Sequence, residues 1–429
     1  MTVMTPPTAT ARRATPGRVP AFPEDGIPPF VHALMPVSLP VWLMERLIGG
    51  PVRLDRGLRE EMIEGLWEGD EPMDTLLDWM FAAGAREGKQ LFEQALDHGV
   101  ESVPEAPEPL RAFFAVIDRR PDWVDMSAVQ EGMRALNAVG EVGAYLGRDY
   151  ALMGGYLLSG FNEALVMTGA LNKGAGRRFA ETMSWAMDII TPEGMERFGV
   201  GFKSTIRVRM IHALVRRNLV RRPDWNAARH AMPINQTDMC ATILANALVA
   251  FGSRCLGVPM TNGQIDAVIK HTRYVGWLMG VKGPWLPTSN AHAIRLLLHA
   301  TSTQPRGEET SQIMAKSLAA EPLTRHYPYF RAVHRRLEHS RHLSISRFLL
   351  GKRTLDTLGV PSNVLPWYPV LTIGPRLAWQ VAHRLVPGGY RRLCEQGLKK
   401  QRQMLEVFHA GAKSAAGIIK PDASHPAHV

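Results

Sequence analysis

Cysteine is scarce: three in 429 residues, Cys240, Cys255 and Cys394, with no CxxC pair and no Cys/His ladder. That excludes a disulfide scaffold and a structural zinc site, and it fits a reducing compartment. No GxGxxG follows a strand, and there is no GKS/T loop and no GxSxG elbow. Nicotinamide, nucleoside-triphosphate and α/β-hydrolase chemistry therefore have no foothold. Long uninterrupted apolar runs are missing as well. The stretch Ala151 to Leu171 contains Asn162, Glu163 and several glycines, and reads as a buried helix. Val364 to Val386 is broken by prolines and by Arg376 and Arg384, and lies at most on a membrane surface. Arg12-Arg13 is followed by no apolar segment, so no export signal is expected and the protein is expected to be cytoplasmic.

The residues that are present describe a globular chain, 45% hydrophobic and 21% charged. Lys and Arg number 50 against 40 Asp and Glu, a net charge of +10. The excess is uneven. Arg53 to Asp125 holds 18 acidic and 8 basic residues, whereas Arg325 to Lys420 holds 17 basic and 4 acidic. The basic third is either a solvated face or a docking surface for anionic membrane or a partner, and no nucleic-acid module accompanies it.

Period-2 alternation bounded by hairpin turns is nearly absent, and i, i+4, i+8 apolar spacing recurs, as in Leu58, Met62 and Leu66. The chain is expected to be all-α, with helices at about 127–145, 148–170, 175–190, 201–219, 236–255, 263–280, 287–302 and 308–320. Residues 1–28, rich in Pro, Thr, Ala and Arg, read as a disordered leader. Residues 29–390 read as one helical domain, and 391–429 as a basic helical or disordered tail.

The window from Lys203 to Arg217 carries the most chemistry. On a helix, Arg209, His212 and Arg216 fall at i, i+3 and i+7 on one stripe, with Ile206, Met210, Ile211 and Leu214 on adjoining faces. Two arginines on a partly buried stripe need an anion. One answer is a haem, with the imidazole on iron and the guanidiniums on its carboxylates. Another is a set of Asp/Glu partners from the acidic third. An HExxH zinc site is excluded, because no carboxylate or second histidine lies within a turn of His212. Upstream, Arg178 and Thr182 share a helix face at i, i+4. They suit either a polar ligand or an ordinary helix start with a back-bonded threonine. Cys240 and Cys255 read as buried apolar residues, Trp185, Trp277 and Trp285 as core or pocket wall, and His271 as a packed histidine or a second axial ligand.

These windows together, RVRMIHALVRR with Arg178 and Thr182 before it and Pro233-Ile-Asn-Gln236 and Arg273-Tyr-Val-Gly-Trp277 after it, resemble one family. It unites the latex-clearing proteins, or rubber oxygenases, with the fungal oxygenase MpaB. The resemblance spans about 140–300. It implies a globin-like helical core around a b-type haem, and oxygenase action on a C=C bond of an apolar, isoprenoid-like substrate with dioxygen. Carried over, His212 is the proximal iron ligand, Arg209 and Arg216 contact the haem propionates, and Arg178 and Thr182 line the distal side. The lysine that rubber oxygenases carry before the distal threonine is Glu181 here, and their distal glutamate falls on Asn162, with Glu163 next to it. Glu163 is taken as the catalytic carboxylate. The competing expectations are a non-catalytic haem sensor or carrier, and a non-haem helical protein at the membrane surface.

Overall fold

The computed structural model describes residues 13–28, 31, 40–168, 175–325, 327 and 329–408. The chain is all-α. Among the described residues no strand forms, and a single isolated antiparallel bridge pairs Leu158 with Arg306.

Helix Val200–Val220 runs through the middle, packed against helices Glu71–Ala82, Ala175–Asp188 and Asn262–Leu278. Its buried face, Phe202, Ile206 and Ala213, joins the main core with Phe92, Phe114, Tyr145 and Val275. A second apolar cluster surrounds Trp285 with Cys240, Ile243, Leu244 and Leu296.

The tightest helix pair is Met126–Ala138 on Asn262–Leu278. Gly132 makes it possible: a Cβ there would run into the Ala267 carbonyl and the Cβ of His271. The start of Asn262–Leu278 is fixed by a capping box, in which the Thr261 hydroxyl accepts from Gln264 N and the Gln264 side chain accepts from Thr261 N, both at 3.1 Å.

Three expected helices are divided, among them 148–170, which breaks at Leu158 before Ser159–Met167. The stretch read as 127–145 ends at Ala138, turns at Gly140 (φ 66°), and restarts at Glu141. The restarted helix widens into a π segment, Leu146–Leu152, before Met153–Tyr156. That widened turn carries two adjacent buried charges, Arg148 and Asp149, 2.5 Å apart. Arg148 also meets Glu321 at 3.1 Å, and His342 Nδ1 contacts Asp149 at 2.6 Å. The stretch 236–255 divides at Leu244 into Gln236–Ile243 and Ala245–Cys255.

The start of the expected domain plan needs correction. Residues 13–28 are not a loose leader. Arg18 is buried and its Nη2 lies 2.6 Å from Asp238, while Gly17 N and Arg18 N donate to the Ala228 and Arg229 carbonyls. Proline-rich composition made this segment look unpacked, but a strap needs only a few anchors. Residues 391–408 are helical, one of the two states expected of the basic segment. Helix Gly389–Phe408 seats Leu393 and Cys394 in an apolar cluster with Ala138 and buries Gln401. Residues 1–12 and 409–429 lie outside the described residues.

Replacing Gly132 with valine forces the closest helix pair apart. The expected cost is about 3 kcal/mol, the upper part of the overpacking range. Denaturant unfolding of the Gly132→Val protein measures it, and a midpoint equal to wild type would contradict the packing described.

Candidate functional site

The arginines of the central helix already have their anions. Arg209 grips Asp70 through Nε (2.6 Å) and Nη2 (2.7 Å), and its Nη1 donates to the Leu278 carbonyl at 3.1 Å. Arg216 grips Asp74 through Nε (2.9 Å) and Nη2 (2.7 Å), and its Nη1 donates to the Ile234 carbonyl at 2.7 Å. Both guanidiniums are buried. The last bond holds Ile234 at a φ of 49°, a conformation that β-branched residues rarely adopt. Gly69 and Gly280 let the backbone close over these pairs. A Cβ at Gly280, which has a φ of 87°, would strike Asp70 and Arg209, and one at Gly69 would strike Asp74 and Arg216.

Gln236, the last residue of the Pro-Ile-Asn-Gln window, completes this polar hub. Its Nε2 donates to the Gly69 (2.8 Å) and Gly280 (2.9 Å) carbonyls, and its Oε1 accepts from Lys282 N at 3.0 Å. The preceding Asn235 caps helix Gln236–Ile243 by accepting from Asp238 N. Gln236 was not singled out from sequence. The motif was visible, but only the fold shows that one amide ties three backbone segments.

The two arginines for which a propionate role is expected are here paired with Asp70 and Asp74. Seven residues on a helix return to within about 20°, so the two arginines share a line, whereas His212 sits about 50° to one side. On His212's own side lie Thr205, Val208 and Val215. Val208 packs towards the Trp285 cluster with Phe161, Trp185 and Trp277. Val215 packs towards Ala164, Leu219 and Trp225. His212 is half-buried between these two apolar groups.

The helix before it packs against the central helix. The Trp185 indole N–H donates to Thr205 Oγ1 at 3.1 Å, tying Ala175–Asp188 to Val200–Val220. Thr182 lies one turn before Trp185 on the same face, and Thr205 lies two turns before His212. The tie sets the contact between the two helices at Trp185 and Thr205. Thr182 is exposed although Phe179, Ala180 and Met187 of its helix are buried. The side chain of Arg178 lies outside the described residues.

Other expected positions are placed elsewhere. Asn162 is fully buried, with Nδ2 donating to the Tyr156 carbonyl at 2.8 Å. Glu163 is half-buried near Arg229 and Glu308, which pair at 2.5 Å with Arg229 about half exposed; burial raises its carboxyl above the usual range. Its charged neighbourhood is this surface pair, not His212. His271 is wholly buried, donates from Nε2 to the Ile189 carbonyl at 2.9 Å, and is pushed down to about 4 by burial, so it stays neutral. It is a packing histidine beside Gly132. Cys240 is buried as expected, its thiol pushed up to about 12 by burial, whereas Cys255 is exposed. Trp285 is core, and Trp185 and Trp277 are half-buried.

A haem presents apolar faces and an iron that accepts an imidazole. A half-buried histidine flanked by valines, with tryptophans and a phenylalanine nearby, fits that chemistry. Among the described residues no three His, Cys, Asp or Glu side chains gather as ligands, so an iron at His212 would need a macrocycle for its other bonds. Arg209 and Arg216 are engaged by Asp70 and Asp74.

Fold and site together define an all-helical protein whose central helix carries a half-buried histidine between two apolar groups. The chain belongs to the family described as ER-bound oxygenase mpaB/B'/rubber oxygenase, catalytic domain, whose model matches residues 137–387. It is 24% identical over 233 residues to the rubber oxygenase of Streptomyces sp. (strain K30), covering 52% of this chain and 54% of that protein. The chain thus spans about half the length of this curated relative. The solved structure of latex clearing protein LCP in the closed state has the same fold, with a TM-score of 0.53 at 20% identity over 83% of this chain and 93% of that one. Asp70 and Asp74 lie outside the matched family segment.

Breaking one partner of a buried ion pair strands the other, typically at a cost of 3–5 kcal/mol. Asp70→Asn should therefore destabilise by about 4 kcal/mol, and adding Arg209→Met should recover part of the loss. Chemical unfolding of the single and double variants reads this; strictly additive losses would show that the pair is uncoupled.

Asp188, at the end of the Thr182 helix, is pushed up to about 6 by burial, against the pull of Ser204 and Arg207. A carboxyl raised in the folded state favours folding when protonated, and that contribution is lost as pH rises from about 4 through 6. Asp188→Asn should flatten this part of the stability–pH curve and stabilise the protein by up to about 3 kcal/mol at neutral pH. Unchanged slopes in melts at pH 4 to 7 would refute it.

Proposed function

We propose that this chain is a haem-b-dependent oxygenase that adds dioxygen to, or cleaves, a carbon–carbon double bond of an apolar, isoprenoid-like substrate. The supporting observation is the half-buried His212 of the central helix, beside Val208 and Val215 that pack into apolar clusters. Family membership supports the oxygenase class. When bound, the haem supplies the redox chemistry that activates dioxygen. His212 would hold the iron through its neutral imidazole, and the Asp70 and Asp74 pairs would keep its helix from turning. Val208, Val215 and Phe161 would exclude water and accept an apolar substrate. On the preceding helix the Thr182 hydroxyl would donate a hydrogen bond to the reacting atoms, and Arg178, one turn earlier, would add positive charge on that face. Glu163, beside its surface pair, is left out of the reacting set.

Purified protein should show a Soret band. His212→Ala should lose it or bind haem weakly while keeping its helical circular dichroism; undiminished haem would overturn the ligand assignment. Thr182→Ala should keep the band and lose about two orders of magnitude in substrate-dependent oxygen consumption. Full turnover in that variant would remove Thr182 from the site, and a haem protein with no turnover on any olefin would mean a carrier or sensor.

A further inference from the structure

Helix Trp367–Leu385 is built inside out. Its inner side is polar: Gln380 is buried and donates to the Ala138 carbonyl at 3.0 Å, and Arg376 donates to the Leu256 carbonyl at 2.6 Å and to Thr372 Oγ1 at 3.1 Å. Its outer side is apolar. Val370, Leu377, Val381 and Leu385, spaced i, i+7, i+11 and i+15, are 66%, 42%, 39% and 79% exposed, and Leu371 beside them is 65% exposed. No charged residue interrupts that stripe. Trp379, 54% exposed, borders it.

The apolar surface extends onto a neighbouring helix. The Trp367 indole donates to Ser340 Oγ at 3.1 Å, and Tyr368 N donates to Ser344 Oγ at 3.0 Å, seating the start of the stripe on helix Arg331–Thr357. Leu337 and Val333, one and two turns before Ser340, are 43% and 63% exposed. Water is a poor cover for two helices of this kind.

Charge selects the occupant. No acidic residue occurs between Asp356 and Glu395, while Arg376, Arg384, Arg391 and Arg392 do. Arg391 and Arg392 are exposed just past the stripe, and Arg331 and Arg336 flank Val333 and Leu337. A second copy would set these cations against their own kind. A surface of anionic headgroups over acyl chains matches both the charge and the apolar face. No described helix is long and apolar enough to cross a membrane, so the contact is in-plane.

We propose that the outer face of helix Trp367–Leu385, continued by Val333 and Leu337, docks this protein on the surface of an anionic bilayer. The stripe enters the headgroup–acyl boundary, Trp379 sits at headgroup level, and the flanking arginines meet lipid phosphates. The proposal does not depend on the haem reading.

Vesicle flotation of the full chain tests it, with phosphatidylcholine alone and phosphatidylcholine mixed with phosphatidylglycerol. The wild type should float with the mixed vesicles and lose about tenfold in affinity as salt rises. Leu377→Glu with Val381→Glu should weaken binding by about two orders of magnitude, since each removes roughly one buried apolar side chain. Arg391→Glu with Arg392→Glu should weaken binding only to vesicles that contain the anionic lipid. Circular dichroism and gel filtration confirm that each variant is folded. Failure of the wild type to float, or equal flotation of the Leu377/Val381 variant, would overturn the proposal. So would a vesicle-free dimer that the same two substitutions dissociate, because the face would then belong to a second copy.

Discussion

Two bidentate ion pairs fix the position of everything around the central helix. Arg209 on Asp70 and Arg216 on Asp74 sit two turns apart on one line, each with a further bond to a carbonyl. A planar guanidinium bound through two nitrogens fixes direction as well as distance. Two such locks two turns apart hold the helix against rotation and sliding alike. The carbonyls they engage, Leu278 and Ile234, belong to the end of helix Asn262–Leu278 and the start of Gln236–Ile243, so four segments are held in register at once. Gly69 and Gly280 are required there because the hub leaves no room for a Cβ.

The consequence for the site is rotational. With the arginines facing the acidic helix, His212 must face about 50° away, towards Val208 and Val215. The protein separates a charged side that holds the helix from an apolar side that offers one imidazole. The Trp185–Thr205 bond then ties the preceding helix to this one. Two ion pairs and one neutral hydrogen bond thus fix the central helix against its neighbours.

Much of this was legible in the sequence. The helical class followed from spacing, and all eight expected segments correspond to helices that begin and end within a few residues of them or to divided versions of them, as at Gly140, Leu158 and Leu244. His212 stood out because of its neighbours. The partners of those neighbours did not, since nothing local links Asp70 to Arg209, 139 positions apart. Composition misled at the N-terminal end, where proline-rich residues 13–28 looked unpacked although Arg18 is buried. Helix Trp367–Leu385 was hidden by Pro375 in its interior and by an apolar pattern whose outward face a core-seeking reading assigns to the inside.

The uneven charge along the chain has one physical account. Part of the acidic third is spent on the central helix and the turn before it. Arg197 meets Asp118, Lys203 meets Asp97, Arg207 meets both Glu93 and Asp97, Arg209 meets Asp70, Arg216 meets Asp74, and Arg217 meets Asp78. Six of the 18 carboxylates in residues 53–125 are thus counterparts of cations in residues 197–217, while most of the others are exposed to solvent. The C-terminal third has no such counterpart. Its acids are few, and two of the largest calls on them, Glu338 by Arg325 and Arg341, are met within the same segment. The net positive charge that remains is carried by exposed arginines beside exposed apolar side chains, and both point outwards. One end of the chain has used opposite charge to build its interior, and the other has kept a single sign of charge for what lies outside.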